Sequence, residues 1–242
     1  MDRFYQKENC WSKLVDIQPT PSYLWAELHE FSMSYILKYI AEGEHQQQDF
    51  KMRIDDSKKI AKTLAAFANS DGGRLLIGVK DNGTVCGCPI EEEVHMIEAA
   101  ADMYCEPKVQ FETQLWKVDF MNVLEVFVPP SGRRPHFAIN EGDKKKAYVR
   151  RGDQNFKANG VLLKVWEHDE DQIHGNFEYD LEKEKLFDKL KSKDSLGFMA
   201  VSKITKLDPK RTEELLAQLI AWDVVQMDLD GKTASFRLKE AS

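Results

Sequence analysis

The stretch AAFANSDGGRLLIGVKDNGTVCG, residues 65–87, restricts the folds open to this chain more than any other. Ala65, Ala66, Phe67 and Ala68 close a helical run that begins near Asp56. Asn69-Ser70-Asp71-Gly72-Gly73 then joins residues that tolerate the left-handed region to glycines that accept positive φ, so the helix stops there. Leu75, Leu76, Ile77 and Val79 form a continuous apolar run, the pattern of a strand covered on both faces. Asp81-Asn82-Gly83 predicts a hairpin with a return strand through Val85.

The flanking segments extend this pattern. Residues 1–21 lack periodicity and include Pro19 and Pro21, which reads as an arm. Ser22 to Glu42 is a helix, with Ser22 as N-cap and Gly43 as stop, and its broad apolar side suits packing on its own domain or on a partner. Gln48–Ile54 reads as a strand with Phe50, Met52 and Ile54 on one face and Asp49, Lys51 and Arg53 on the other. The Asp56–Asn69 helix buries Ile60, Leu64 and Phe67. A helix over Glu91–Cys105, strands near Lys108–Val118 and Met121–Val128, a strand over Ala147–Arg151 and a helix over Asn159–Trp166 follow. After a linker the pattern gives helices at Leu181–Leu190, Met199–Leu207 and Lys210–Trp222, the last capped by Asp208 with Pro209 in its first turn. Two strands then flank Asp230-Gly231-Lys232. The fold class is α+β, a mixed sheet with helices followed by a winged helix-turn-helix domain. The expected division is 1–42 (arm and helix), 43–168 (sheet domain), 169–179 (linker) and 180–242 (winged helix).

The segments EHQQQDFK (44–51) and KKIAKTLAAFANSDGGRLLIGVKDNGTVCG (58–87) together resemble the Schlafen-type divergent AlbA domain. The likeness extends more weakly through the later strand pair and RGDQNFKAN (151–159). In Schlafen nucleases two acids early in the domain and one after the Gly-Val of the signature hold a divalent metal for RNA cleavage. The matching positions here are Glu44, Asp49 and Asp81, which the resemblance makes the catalytic and metal-binding candidates, with Mg²⁺ or Mn²⁺ as the cation. A second reading has Asp49 and Asp81 pair with Lys51, Arg53, Lys80 or Arg74 across strands. The part after residue 180 resembles winged helix-turn-helix modules of bacterial regulators, with Asp208–Trp222 in the recognition-helix position.

Charge is unevenly spread. The chain carries a net −7, yet residues 131–166 hold nine Lys/Arg against three Asp/Glu, a local +6. Arg133, Arg134, Lys144, Lys146, Arg150, Arg151 and Lys157 stand among Phe137, Tyr148 and Phe156. Cations for phosphates beside aromatic rings for unpaired bases suit nucleic acid, although a solvated lysine loop has the same composition. Alternation in KKKAYVRR places Lys144, Lys146, Tyr148 and Arg150 on one face, the better phosphate-facing set, with Tyr148 alternatively capping the core. Lys210, Arg211 and Lys232 are the cations the winged helix offers to duplex DNA. Residues 167–242 nevertheless sum to −5.

These features give a nucleic-acid-binding protein of the bacterial-regulator type, its partner DNA or RNA, with a homodimer as a further expectation. Two alternatives remain: a metal-dependent endoribonuclease acting on structured RNA, which is the enzyme class if there is one, and a protein-interaction adaptor. No cofactor is certain, and the absence of G-x-x-x-x-G-K-[ST] makes ATP an improbable ligand. Cys10, Cys86, Cys88 and Cys105 lack paired metal spacing and read as reduced thiols. No apolar run approaches membrane-spanning length and the N-terminus lacks a signal-peptide layout, so the expected location is the cytoplasm, with no membrane partner.

Overall fold

The computed structural model describes residues 35–140, 142, 144–171, 180–230 and 233–239. The expected arm, the first part of the Ser22–Glu42 helix, most of the linker, and Gly231 and Lys232 at the wing tip lie outside them. The chain divides into two units, Met1–Ala41 and Glu42–Ser242. In the first, the described residues belong to a helix, α1 (35–42), which stops where expected, at Gly43 with φ of +72°.

The second unit is built around α2 (Ser57–Ala68). Its N-cap is Asp56, whose carboxylate accepts from the Lys58 N–H at 2.8 Å. Ile60, Leu64 and Phe67 are buried as the periodicity predicts, but so are Ala61, Thr63, Ala65 and Ala66. A helix apolar on nearly all sides needs cover on nearly all sides. Two sheets supply it. The first has the order β1 (Gln48–Lys51), β2 (Gly73–Ile77), β5 (Met121–Val128), β4 (Glu112–Val118), with β1 parallel to β2 and the other pairs antiparallel. The second is antiparallel, with the order β3 (Cys105–Glu106), β6 (Phe137–Ile139), β7 (Lys145–Arg151), β8 (Gln154–Lys157). Leu75, Ile77, Leu124, Val126 and Val128 from the first sheet, Ala138 from the second, and Ile97, Ala100 and Ala101 of α3 (Ile90–Met103) close one core around α2. The alanines of AAFA are small because strands approach them closely.

The signature turn is held by sterics. A Cβ on Gly73 would lie 2.4 Å from the Phe67 ring, so only glycine lets β2 start directly beneath that ring. The predicted hairpin is shorter than its sequence suggests. The turn at 81–83 forms, but the return strand is a single bridge between Val79 and Val85, because Gly78, at φ of +95°, bends the chain out of the sheet after Ile77. β6 and β8 were not anticipated: β6 is an apolar run of only three residues, and β8 is four residues of mixed polarity.

Beyond the sheets, α4 (Gly160–Asp171), α5 (Leu181–Ser192), β9 (Leu196–Gly197), α6 (Phe198–Thr205), α7 (Pro209–Ala221), β10 (Val225–Asp230) and β11 (Thr233–Leu238) follow one another. The last strands form an antiparallel sheet of order β10-β11-β9. Leu186, Leu190, Val201, Leu216, Leu219 and Phe236 make a second core. α4 belongs to both parts of the unit. Its Val161 is buried in this second core, while its Trp166 is buried with Ala147, Val149 and Ala158, against which Leu229 of β10 also packs.

Candidate nucleic-acid interface

α2 ends at Asn69, and Asn69 with its two neighbours performs work that a strand would otherwise do. β6 pairs with β7 only as far as Ala147, so one backbone edge of residues 148–152 lacks a ladder partner. Buried backbone groups left unpaired are costly. The Asn69 side chain donates to the Tyr148 carbonyl (2.9 Å) and the His136 carbonyl (2.8 Å) and accepts from the His136 N–H (2.7 Å). Ser70 Oγ accepts from the Arg150 N–H at 2.9 Å. Gln46 completes the edge, donating to the Arg150 carbonyl and accepting from the Gly152 N–H, both at 2.9 Å. Gln47 donates to the Asp71 carbonyl at 2.8 Å, tying the start of β1 to the same turn.

These clamps leave a cavity of about 160 Å³ between the signature turn, the end of β7 and α4. Gln46, Ser70, Asp71, Arg134 and Arg151 form its polar walls, and Val149, Leu162 and Trp166 its apolar one. Arg134 and Arg151, far apart in sequence, converge here, and among the described residues neither guanidinium has an ion-pair partner. The loop carrying Arg133 and Arg134 is fixed from behind by His136. Its Nδ1 donates to the Pro107 carbonyl (2.9 Å), which leaves Nε2 to accept from Ser131 Oγ (2.8 Å). Burial lowers the His136 pKa from its ordinary value, and the hydrogen bond to Pro107 opposes this.

The other basic candidates divide. Arg133, Lys144 and Lys157 are exposed, and Lys146 is half-buried. Lys157 sits opposite Tyr148 on the edge strand β8. Tyr148 packs against the α2 core, the alternative its pattern allowed. Arg150 is a correction. Expected to face phosphate, it is 1% exposed. Its guanidinium lies 5.2 Å from the Phe67 ring centroid, donates to the Gln48 carbonyl at 2.9 Å and pairs with Asp49 at 3.1 Å. The strand face it shares with Tyr148 is turned onto α2, where the aromatic and aliphatic parts of both side chains are covered.

The acidic candidates do not form a metal site in this arrangement. Glu44 and Asp49 are neighbours. Burial raises the Glu44 pKa most, against a hydrogen bond from the Phe50 N–H, and the Asp49 carboxylate raises it further. Both Asp49 oxygens are engaged, one by the buried Arg150 at 3.1 Å and the other by Lys51 at 2.9 Å, so a cation would have to displace one of these two partners. Asp81 stands on the exposed turn after β2. Among the described residues no three His, Cys, Asp or Glu side chains are grouped to hold a metal ion. The thiols of Cys88 and Cys105 are pushed up by burial, to about 11 and about 12. No helix among the described residues is long and apolar enough to cross a membrane.

On the C-terminal part, Lys210 and Arg211 are exposed at the start of α7, and Arg211 lies 3.5 Å from Asp208. Sequence reasoning took Asn69, Ser70 and Asp71 for turn formers and passed over Gln46. The available signal was a polar pair closing an otherwise apolar helix.

The family model described as "Schlafen, AlbA_2" matches residues 44–159, the span that holds both sheets, the signature turn and the clamping side chains. The chain carries a Schlafen AlbA_2 domain. Several solved structures resemble it, two of which follow. The DIP2311 protein of Corynebacterium diphtheriae has 19% identity and a TM-score of 0.39, with 60% of this chain and 29% of that chain covered. The N-terminal domain of a Nitrosomonas europaea protein described as "Putative ATP-dependent DNA Helicase RecG-related Protein" has 25% identity and a TM-score of 0.38, with 50% of this chain and 88% of that chain covered. The chain thus spans less than a third of the length of the first. No curated protein matches it. In the AlbA_2 domain the apolar residues of the signature face inward, and the arginine-lined cavity opens beside its turn.

Proposed function

We propose that this protein binds nucleic acid through the arginine face of its AlbA_2 domain, and that it serves as a regulator of the bacterial type. The observation that carries this reading is the convergence on one cavity of two guanidiniums, Arg134 and Arg151, that have no ion-pair partner among the described residues, with Arg133, Lys144, Lys146 and Lys157 on the same basic segment. Guanidiniums held without carboxylate partners are suited to bidentate contact with phosphate. The order of helices and strands after residue 180 supports reading that part as a winged helix, with 43–168 as the binding domain.

The test is a salt titration of binding to labelled duplex DNA and structured RNA. Wild type binds below about 10 µM at 50 mM salt, as even nonspecific phosphate contact should. Arg134→Ala and Arg151→Ala each weaken binding and make the slope of log K against log salt shallower by about 0.9 on duplex DNA. Absence of binding, or variants indistinguishable from wild type, would overturn the reading.

A further inference from the structure

We infer that the ligand of this face is an unpaired strand, with one nucleotide seated in the cavity between Arg134, Arg151 and the wall of Val149, Leu162 and Trp166. The inference rests on the nucleic-acid reading above and specifies its ligand. Two independent observations carry it.

The first is that α7, the element placed to read a duplex, is packed on two sides and keeps open only a strip whose cation is matched with an acid. Thr212, Leu215, Leu216 and Leu219 are buried on its core side. On another side it packs along α4, more extensively than any other helix pair among the described residues. There Lys164 approaches Glu214 at 3.8 Å, the Glu213 carboxylate fills the space a Cβ on Gly160 would need, and Ala217, one turn on, is fully buried. Its remaining strip, Arg211 to Gln218, lines a concavity of about 490 Å³ whose cations are already matched with acids: Lys183 with Asp180 at 2.9 Å, Lys206 with Glu182 at 3.5 Å, Arg211 with Asp208 at 3.5 Å. With two sides packed and the cations around its open strip matched with acids, α7 offers the phosphates of a major groove little unmatched positive charge there.

The second is the shape and chemistry of the arginine cavity. A duplex presents convex rows of phosphates and keeps its bases stacked inside. Phosphate contact alone would use the cationic rim and leave the apolar wall empty. An unpaired nucleotide uses both: its phosphate meets the guanidiniums and the Ser70 hydroxyl, and its base lies against Leu162 and Trp166. In a single strand or a bulge that base is already free, whereas an intact duplex must first unstack it.

Fluorescence anisotropy with the full chain tests this, using a 20-nucleotide mixed-sequence single strand as DNA and as RNA, the corresponding blunt duplexes, and duplexes with a one-nucleotide bulge. The single strand and bulged duplex should bind at least about tenfold more tightly than the intact duplex. Leu162→Trp, which fills the cavity from its apolar side, should reduce single-strand affinity to that of the duplex. The bulge comparison needs no variant, so it decides the matter even if Leu162→Trp fails to fold. Intact duplex bound as tightly as bulged duplex and single strand overturns this inference alone. Failure to bind any of the three overturns the underlying reading with it. The DNA and RNA arms show which sugar the site prefers.

Discussion

Arg150 and Asp49 form a buried ion pair, 3.1 Å apart, that joins the end of β7 in one sheet to β1 in the other across the C-terminal end of α2. The guanidinium also donates to backbone carbonyls of residues 45 and 48, so most of its hydrogen-bonding capacity is used inside the protein. The pair explains why polar residues of β1 are not a solvent face, and why the basic strand contributes only part of its charge to the surface.

Removing one partner strands the other charge in a poorly solvated site. Arg150→Met is expected to lower stability by about 3 kcal/mol, the low end for a broken buried pair because Lys51 still neutralises Asp49. The double variant Arg150→Met, Asp49→Leu should be more stable than Arg150→Met alone. Urea denaturation of the three proteins measures both quantities.

Asn69→Ala leaves the His136 N–H and the carbonyls of His136 and Tyr148 without their partner. At about 1–3 kcal/mol for each buried group left unpaired, and with water recovering part, a loss of about 3 kcal/mol is expected. Asn69→Asp keeps the acceptor for His136 N–H but loses both donations, so it should also destabilise. The same denaturation experiment ranks the two against wild type.

Gly73→Ala drives a methyl group into the Phe67 ring, which is itself fully buried and cannot swing away. A loss of about 1–3 kcal/mol is expected, the usual range for overpacking. Combining it with Phe67→Leu should cost less than the sum of the single changes, a coupling that a double-mutant cycle reads directly.

His136 makes stability depend on pH. Its folded pKa lies below the ordinary 6.5, so its contribution is fully present above that value. It is lost as pH falls from there through the folded pKa, because the unfolded chain takes up the proton first. Glu44 and Glu93, whose pKa values burial raises, act in the opposite sense, since the folded state takes up their protons first. Between pH 7.5 and 5.5, His136→Gln should therefore lose less stability than wild type. The difference between the two proteins isolates the histidine.

The chain's own order determined a good deal. Helix α2, its stop at Asn69, the buried strand β2, Met121–Val128 as a strand and the helix-and-strand order after residue 180 follow from local causes: apolar period, capping residues and glycines that tolerate positive φ. The positions of Arg134 and Arg151 as phosphate candidates were legible as composition. What composition could not assign was which basic residues reach solvent. Arg150 and Arg151 are adjacent and chemically identical, yet one is locked between Asp49 and Phe67 and the other lines a cavity. The sheet packing on α2 decides this, because strand alternation sends neighbours to opposite faces but does not say which face is covered. Nor could sequence tell that α4 would cover one side of α7, since the two meet only after the chain has passed through the linker and two further helices. Those outcomes depend on contacts between residues remote in the chain, and only the tertiary structure supplies them.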